Sequence, residues 1–156
     1  MSVFLITLDI VLMAMASYYI YWQSQIMYQS RYSFSQLVWG IVLVLWFVTT
    51  DISNWSYIIF VSIFILMSIL AGFGGLGSKR LIATGMFQRV IPYTAINEIT
   101  LTPLSLPNGN DMVVALFTMS PRRFVRLTFK SNLDGMMNAL HEVVPDSVKI
   151  TVQEVQ

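Results

Sequence analysis

A glycine-rich stretch, AGFGGLGSKR, is the segment whose spacing comes nearest to a known ligand-binding loop. Gly72, Gly74 and Gly77 match the pattern G-x-G-x-x-G, which holds a pyrophosphate where a strand leads into a helix. Here a long apolar run precedes the pattern and a strand-like segment follows it. The order Gly77-Ser78-Lys79 also reverses the Gly-Lys-Ser/Thr order of a P-loop. The stretch is therefore predicted to be a flexible hinge, formed by Gly72, Gly74, Gly75 and Gly77.

Asp9 is the one ionisable side chain inside a long apolar run. A carboxylate in a membrane is costly, so its default interpretation is functional and requires a partner. Asp9, Met13 and Ala16 share a helical stripe, which predicts that Asp9 faces other helices and hydrogen-bonds Ser62 or Thr49. The competing interpretation is a protonated or interface-seeking residue, because no second ionisable group is present to form a proton relay.

The remaining titratable residues do not indicate catalysis or metal binding. The chain has no cysteine, which excludes disulfides, thiolate metal sites and a cysteine nucleophile. His141 is the single histidine and has no second ligand at a metal-binding spacing. Four acids fall on different turns and elements and form no acid–base pair. They are Glu98, Asp111, Asp134 and Glu142. We expect neither an enzyme nor a bound metal or cofactor.

Basic side chains are concentrated in the C-terminal half and suggest a face directed at anionic lipid headgroups, where each cation gains about 1 kcal/mol. The alternative is ordinary positive-inside bias together with the solubility of exposed strands. A net charge of +2, from eight Lys/Arg and six Asp/Glu beyond Ser78, argues against nucleic-acid binding. The predicted basic face consists of Lys79, Arg80, Arg89, Arg122, Arg123, Arg126 and Lys130.

The distribution of charge divides the chain in two. Of 156 residues, 56% are hydrophobic and 11% charged, against about 25% charged in a typical soluble domain. Up to Ser78 the charged side chains are Asp9, Arg31 and Asp51 alone. Three apolar runs predict transmembrane helices at about 3–21, 35–50 and 55–72 within a domain spanning 1–76. Residues 77–156 are predicted to form a cytosolic module.

The connections between the runs predict an orientation. Residues 22–36 are expected to extend the first helix before turning near Ser30 to Ser35, and residues 51–54 to form a tight turn. Arg31 lies in the first connection and Lys79-Arg80 follows the third run, which puts both on the cytoplasmic side and the N-terminus outside. No basic residue precedes the first run, so an uncleaved anchor is favoured over a signal peptide.

The C-terminal half has the pattern of short strands followed by one helix. Residues 80–84 and 86–92 flank Gly85 and predict a hairpin. Residues 97–104 and 124–130 alternate with a period of two, and 112–119 form an apolar run typical of a central strand. A capping segment at Ser131 to Asp134 opens a helix that Pro145 stops, and residues 148–155 are a last strand or a tail. The fold class predicted is three transmembrane helices plus α+β, with an antiparallel meander capped by a C-terminal helix.

Three groups of residues carry a resemblance to a known family. They are Asp9, residues 21–28 (YWQSQIMY), and the spacing of Gly85, Phe87, Ile91, Tyr93 and Ile96. With this layout the chain resembles the YobD-like family of uncharacterised bacterial inner-membrane proteins. The C-terminal half also resembles bacterial pleckstrin-homology-like (PH-like) domains, in which a glycine hairpin leads into an I-P-[YW]-x-x-I element, here Ile91 to Ile96. That fold has seven strands, whereas five or six can be counted in this sequence.

These patterns support two functional hypotheses. The first is a non-enzymatic, multi-pass protein of the bacterial inner membrane that presents a cytosolic PH-like module to anionic lipid or to another membrane protein, in an accessory or regulatory role. The second is a small transport or pore-forming protein in which Asp9 lines a path in a homo-oligomer. The second hypothesis requires polar residues along several spans, and the run from Val38 to Val48 has almost none.

Overall fold

The computed structural model describes residues 3–49, 55–85, 90–106 and 109–153, which form a mixed α+β fold. Among these residues there are four α-helices, one short 3-10 helix (Tyr93–Ala95) and eight strands, and the first strand lies between the first and second α-helices. The helices are α1 (Val3–Gln23), α2 (Phe34–Val48), α3 (Trp55–Leu70) and α4 (Leu133–Val143). The predicted polar turn at 51–54 lies outside the described residues.

α3 is the central helix of the apolar group. Ala16 and Tyr19 of α1 are buried together with Met67 of α3, and Leu12, Met15, Ile63 and Leu70 pack around them. α2 meets α3 at Gly40, where a Cβ would lie 2.6 Å from Ser68 Oγ, so that only glycine permits the approach. At the far end Gln23 Nε2 donates to the carbonyl oxygen of Leu70 at 2.7 Å. The C-terminal ends of α1 and α3 therefore lie together.

The three apolar helices differ in length. Among the described residues, α1 is the one helix that is long and apolar enough to cross a membrane, with 21 residues. α2 and α3 are more apolar than α1 but have 15 and 16 residues. At 1.5 Å per residue, α1 is about 32 Å long and the other two about 23 Å. By length and composition, the described residues therefore contain one full-length span and not the three that were predicted.

The first sheet, sheet A, joins the helical region to the rest of the chain. Its order is β1-β2-β3-β4, all antiparallel, with β1 (Ile26–Gln29), β2 (Gly75–Gly77), β3 (Arg80–Ile82) and β4 (Val90–Pro92). β1 comes from the connection between α1 and α2. The prediction that residues 22–36 continue the first helix is therefore wrong, because α1 ends at Gln23 and the chain then extends to pair with β2. Sheet A also crosses the predicted domain boundary at residues 76–77.

The hairpin predicted around Gly85 is present in part. β3 and β4 pair in the register Arg80 with Pro92 and Ile82 with Val90, whereas residues 86–89 lie outside the described residues. Gly85 has φ +142°, a conformation that favours glycine.

The second sheet, sheet B, contains the predicted meander. β5 (Glu98–Ser105), β6 (Asp111–Ser120) and β7 (Arg123–Phe129) pair antiparallel in sequence order, and β6 is interior as predicted. The alternation is confirmed, since Ile99 and Leu101 are fully buried and Thr100 between them is partly exposed. The last strand, β8 (Lys149–Val152), pairs parallel to β5. The prediction of an antiparallel sheet is therefore wrong for this strand.

α4 covers the sheets and completes one core. Met136, Leu140 and Val144 are buried on its predicted apolar face. Its N-cap is Asn132, whose Oδ1 accepts from Gly135 N at 2.9 Å, rather than Ser131 as the capping pattern predicted. The core combines side chains from both sheets and α4, namely Leu76, Leu81, Ile91, Tyr93, Ile96, Ile99, Leu101, Val113, Ala115, Phe117, Leu127, Phe129, Met136, Leu140, Val143, Val144 and Val148.

Candidate functional site

Asp9 lies on the buried stripe of α1. Its side chain is 8% exposed, and Ala16 and Tyr19 on the same stripe pack against α3. Met13, which the predicted stripe included, is 57% exposed. Asp9 therefore faces the helix packing as predicted, although the stripe is rotated so that Met13 lies outside it.

The hydrogen bonds predicted for Asp9 are wrong. The Ser62 hydroxyl donates to the carbonyl oxygen of Ile58 in its own helix at 2.8 Å, and Ser62 is exposed. Thr49 likewise donates to the carbonyl oxygen of Trp46 at 2.6 Å. The buried Oδ1 of Asp9 has no hydrogen-bond partner among the described residues. Both hydroxyls donate their hydrogen bonds to backbone carbonyl oxygens of their own helices, as serine and threonine in apolar helices can.

The four glycines of the predicted hinge are all buried in the joint between helices and sheets. A Cβ on Gly75 would fall on the carbonyl oxygen of Tyr28, and a Cβ on Gly72 would fall on the ring of Tyr32. On Gly77 it would lie 2.9 Å from the carbonyl oxygen of Arg80. Glycine is thus required here so that neighbouring chain segments can approach closely. Flexibility of the joint stays a prediction.

The predicted basic residues are distributed over several elements. Lys79 and Arg80 lie at the turn from β2 to β3, and the Arg80 guanidinium sits 5.0 Å from the ring centroid of Trp22 at the end of α1. This cation–π contact links the module to α1. Arg89 lies outside the described residues.

The other basic residues lie along β7 and at its two ends. Arg122 and Arg123 stand at its beginning, Arg126 stands at its middle, and Lys130 follows its last residue. Five residues of extended chain separate Arg123 from Thr128, about 17 Å. The end of β7 is also where Arg31 arrives, since its backbone N–H donates to the carbonyl oxygen of Thr128 at 2.6 Å. Arg31 therefore lines a small cleft with Arg126 and a larger groove with Lys130.

A groove of about 1070 Å³ opens at this place. One wall is the connection between α1 and α2, and the other is made by the start of β6, the end of β7 and the first turns of α4. We call it the junction groove. It is lined by Met27, Tyr28, Gln29, Ser30, Arg31, Tyr32, Phe34, Gly109, Asn110, Asp111, Met112, Phe129, Lys130, Ser131, Asn132, Gly135, Met136 and Ala139.

Hydrogen bonds hold the first wall of the junction groove in place. The Ser30 hydroxyl and backbone N–H both donate to the carbonyl oxygen of Gly74 at 2.9 Å. The Tyr28 hydroxyl donates to Glu142 of α4, and this hydrogen bond is the main cause that raises the pKa of Tyr28. The Tyr32 hydroxyl donates to the carbonyl oxygen of Ile69 at the end of α3 at 3.0 Å. The wall is thus fixed to the sheets, to α4 and to the helices.

The junction groove is electropositive but not uniformly so. Arg31 Nη1 contacts Met112 Sδ at 3.8 Å, a weak acceptor. Lys130 is exposed and has no ion pair within the described ranges, where the one ion pair joins Lys149 to Glu98 at 3.9 Å. Asp111 lines the same groove and opposes the two cations. Cations with weak partners beside apolar side chains can bind an amphipathic anion.

Tyr93 makes a buried polar contact with sheet A. The Tyr93 hydroxyl donates to the carbonyl oxygen of Gly77 at 2.7 Å in a buried position. Burial raises the pKa of Tyr93 above the ordinary tyrosine range. This hydrogen bond links the I-P-[YW]-x-x-I element to the glycine joint, so that Tyr93 serves structure here.

The remaining titratable groups lie on α4 and on sheet B. His141 and Glu142 are exposed on α4, and Asp134 is exposed in its first turn. Glu98 belongs to the far side of sheet B, where it accepts from the Thr151 hydroxyl at 2.8 Å. In the part of the chain that the structure describes, no group of three His, Cys, Asp or Glu side chains could hold a metal ion.

Sequence reasoning missed the role of Arg31 and its neighbours. Arg31 served only as a topology signal, and the polar segment around it was taken for a helix extension. The alternation of half-buried Ile26 and Tyr28 with exposed Met27 and Gln29 is the signal that could have indicated a strand. No protein-family model, curated protein or solved structure matches the chain. Membership of the YobD-like family stays a prediction.

Proposed function

We propose that this chain is a non-enzymatic integral membrane protein of the bacterial inner membrane. Its helices hold a cytosolic, PH-like module that binds a membrane component, either an anionic lipid or another membrane protein, in an accessory or regulatory role. One observation carries the proposal: a groove with two weakly partnered cations is built jointly by the connection of two apolar helices and by the module. A ligand there would contact the membrane region and the module together.

Three features support a membrane location with all three apolar helices inserted. Large apolar side chains are exposed on each of them, for example Ile10 at 65%, Trp39 at 65% and Ile59 at 44%. α1 has the length of a ~30 Å hydrocarbon core. α2 and α3 are about 7 Å shorter than this hydrocarbon core, and a membrane accommodates such a mismatch by local thinning. The packing of α1 on α3 favours an uncleaved anchor over a signal sequence.

The orientation proposed puts the module in the cytoplasm and the N-terminus outside. Arg31, Lys79 and Arg80 lie on connections at one end of the helices, since α1 and α3 end together and β1 pairs with β2. Lys and Arg near helix ends favour the cytoplasmic face. Because the chain has no cysteine, single variants can report sidedness. Ser78→Cys should react with an impermeant maleimide only after cytoplasmic access, and Thr49→Cys from outside. The reverse pattern would contradict the orientation.

The binding role is tested in living cells with a photo-crosslinking amino acid in the full chain. At Met27, 53% exposed in the junction groove, we expect a discrete adduct with a protein or a lipid. The matched control is Phe124, 63% exposed on β7 and outside the groove. Equal adducts at both positions, or none at Met27, would contradict a groove that binds a membrane component.

Asp9 gives the second functional candidate one supporting observation. Its buried Oδ1 has no hydrogen-bond partner among the described residues, as expected of a carboxylate that binds a transported ion or solute. The path proposed for a pore needs Ser62 on the same side, yet Ser62 is exposed and bonded to its own helix. Asp9→Asn separates the candidates: lost ion or solute flux in reconstituted vesicles would favour transport, and unchanged behaviour would remove its support.

A further inference from the structure

We propose that the junction groove binds the phosphate of an anionic phospholipid through Arg31 and Lys130. This inference rests on the proposed function, since it needs the groove to lie at a membrane surface. It names the ligand class and the residues that contact it.

The two cations converge on one volume from two different elements. Arg31 follows β1, and its backbone N–H is bonded to Thr128 at the end of β7. Lys130 is two residues beyond Thr128, about 7 Å along extended chain. Both side chains line the junction groove. A phosphate group between them can accept from a guanidinium and an ammonium at once, which is the arrangement that such anions favour.

Neither cation is neutralised by a contact in the described part of the chain. Arg31 Nη1 has a thioether neighbour at 3.8 Å, and Lys130 has no ion-pair partner among the described residues. Arg126 adds positive charge nearby, because it lines a cleft of about 200 Å³ with Arg31 and Thr128. An anionic ligand would therefore gain charge–charge attraction without breaking an existing ion pair.

The apolar lining favours a lipid over a soluble phosphate. Met27, Phe34 and Met112 stand beside the cations, and Phe34 is 62% exposed. Phe34 is also the first residue of α2, so the hydrocarbon-facing helix begins three residues after Arg31. A headgroup phosphate at Arg31 would place the glycerol and first methylenes against this apolar wall. The groove volume of about 1070 Å³ leaves room for both.

Asp111 provides a test of the sign of the ligand's charge. Its carboxylate lines the groove and repels an anion. Replacing Asp111 with asparagine keeps the shape of the side chain and removes the charge. Binding of an anionic lipid should then become tighter, whereas a site occupied by a neutral or cationic ligand would respond in the opposite direction or not at all.

The experiment is a lipid titration of the full chain in detergent, followed by native mass spectrometry. Phosphatidylglycerol should bind saturably and more tightly than phosphatidylcholine. Arg31→Gln and Lys130→Gln should each weaken phosphatidylglycerol binding about fivefold, and Asp111→Asn should tighten it severalfold. Arg122→Gln is the matched control, with the same charge change at the opposite end of β7, and it should leave binding unchanged.

Other outcomes would overturn the inference. Equal binding of the two lipids would exclude recognition of the charge. Equal weakening by Arg122→Gln would mean general attraction rather than this groove. Competition by inorganic phosphate as strong as that by the lipid would identify a site for a free anion. If the crosslink at Met27 captures a protein while no lipid preference exists, the proposed function stands and this inference fails. Thermal unfolding of each variant checks that all of them fold.

Discussion

Sheet A and sheet B share one hydrophobic core but draw their strands from different distances along the chain. β5, β6 and β7 of sheet B follow one another along the chain with few residues between them. In sheet A, β1 precedes α2 and α3, and it pairs with β2 only after both helices. Both sheets bury apolar side chains in this core. Sheet A depends in addition on glycines that allow close approach and on hydrogen bonds from Ser30 and Tyr93.

The difference shows how the helices and the module become one unit. The meander of β5, β6 and β7 in sheet B is specified locally, because these strands pair with their neighbours in the sequence. A sheet such as sheet A requires the helices to be packed first or at the same time, since its strands come from both ends of the helix hairpin. The junction groove forms only when the meander of sheet B is paired and the helices that bring β1 to β2 are packed. Three substitutions can break or sharpen this contrast.

The largest effect is expected from Phe117→Ala in sheet B. Phe117 is fully buried at the centre of the core, so the variant should lose about 3–5 kcal/mol of unfolding free energy through the cavity it leaves. Thermal or denaturant unfolding in detergent measures the loss. Phe124→Ala, at a phenylalanine that is 63% exposed, is the control and should change stability by less than about 0.5 kcal/mol. Equal losses at both sites would show that sheet B does not carry the core.

A smaller loss, about 3 kcal/mol, is expected from Gly75→Ala in sheet A. The new Cβ would fall on the carbonyl oxygen of Tyr28, and backbone cannot move aside as a flexible side chain can. Hydrogen exchange should rise at the amides of Ile26–Gln29 before those of β6. Gly77→Ala should cost less, because its Cβ would lie 2.9 Å from the nearest atom, and Ser78→Ala should cost nothing. A Gly75→Ala variant with unchanged unfolding free energy would mean that β1 does not pair closely with β2.

The smallest effect is expected from Tyr93→Phe, about 1 kcal/mol for a single buried hydrogen bond. Burial raises the pKa of Tyr93, so the neutral hydroxyl is favoured in the folded state. Its contribution is fully present below the unfolded tyrosine pKa of about 10 and is lost as the pH rises above it. Unfolding midpoints from pH 8 to 11 should thus fall less steeply in the variant. Tyr21→Phe, at an exposed tyrosine, should match the unsubstituted chain in stability at neutral pH. A variant with the same alkaline slope as the unsubstituted chain would argue against burial of this hydroxyl.

Much of sheet B and α4 followed from local patterns. The alternation around Ile99 and Leu101, the apolar run of β6 and the helical spacing of Met136 and Leu140 each report a buried face through nearest neighbours in the chain. Caps and strand direction were less accessible, as the N-cap at Asn132 and the parallel pairing of β8 show. Those features depend on competition between neighbouring polar groups and on where the chain returns in space.

The candidate site was the least predictable part. Arg31 and Lys130 are separated by about 100 residues, and no periodicity relates them. They line the same groove, and the Arg31–Thr128 hydrogen bond joins the two chain segments that carry them. The described basic residues that the sequence grouped together are instead distributed between the β2–β3 turn and different positions along β7. Charge counts locate cations along the chain, whereas strand pairing decides which of them share a surface.

The sequence by itself determined the apolar helices, the amphipathic strands of sheet B and the glycines of the joint, because hydrophobic periodicity and residue size act over a few residues. Tertiary structure alone decided that the connection between α1 and α2 is a strand, that Asp9 is buried without the predicted hydrogen bonds, and that a groove forms between Arg31 and Lys130. The physical reason is that backbone pairing and close approach satisfy groups far apart in the chain, and a local pattern does not encode the partner.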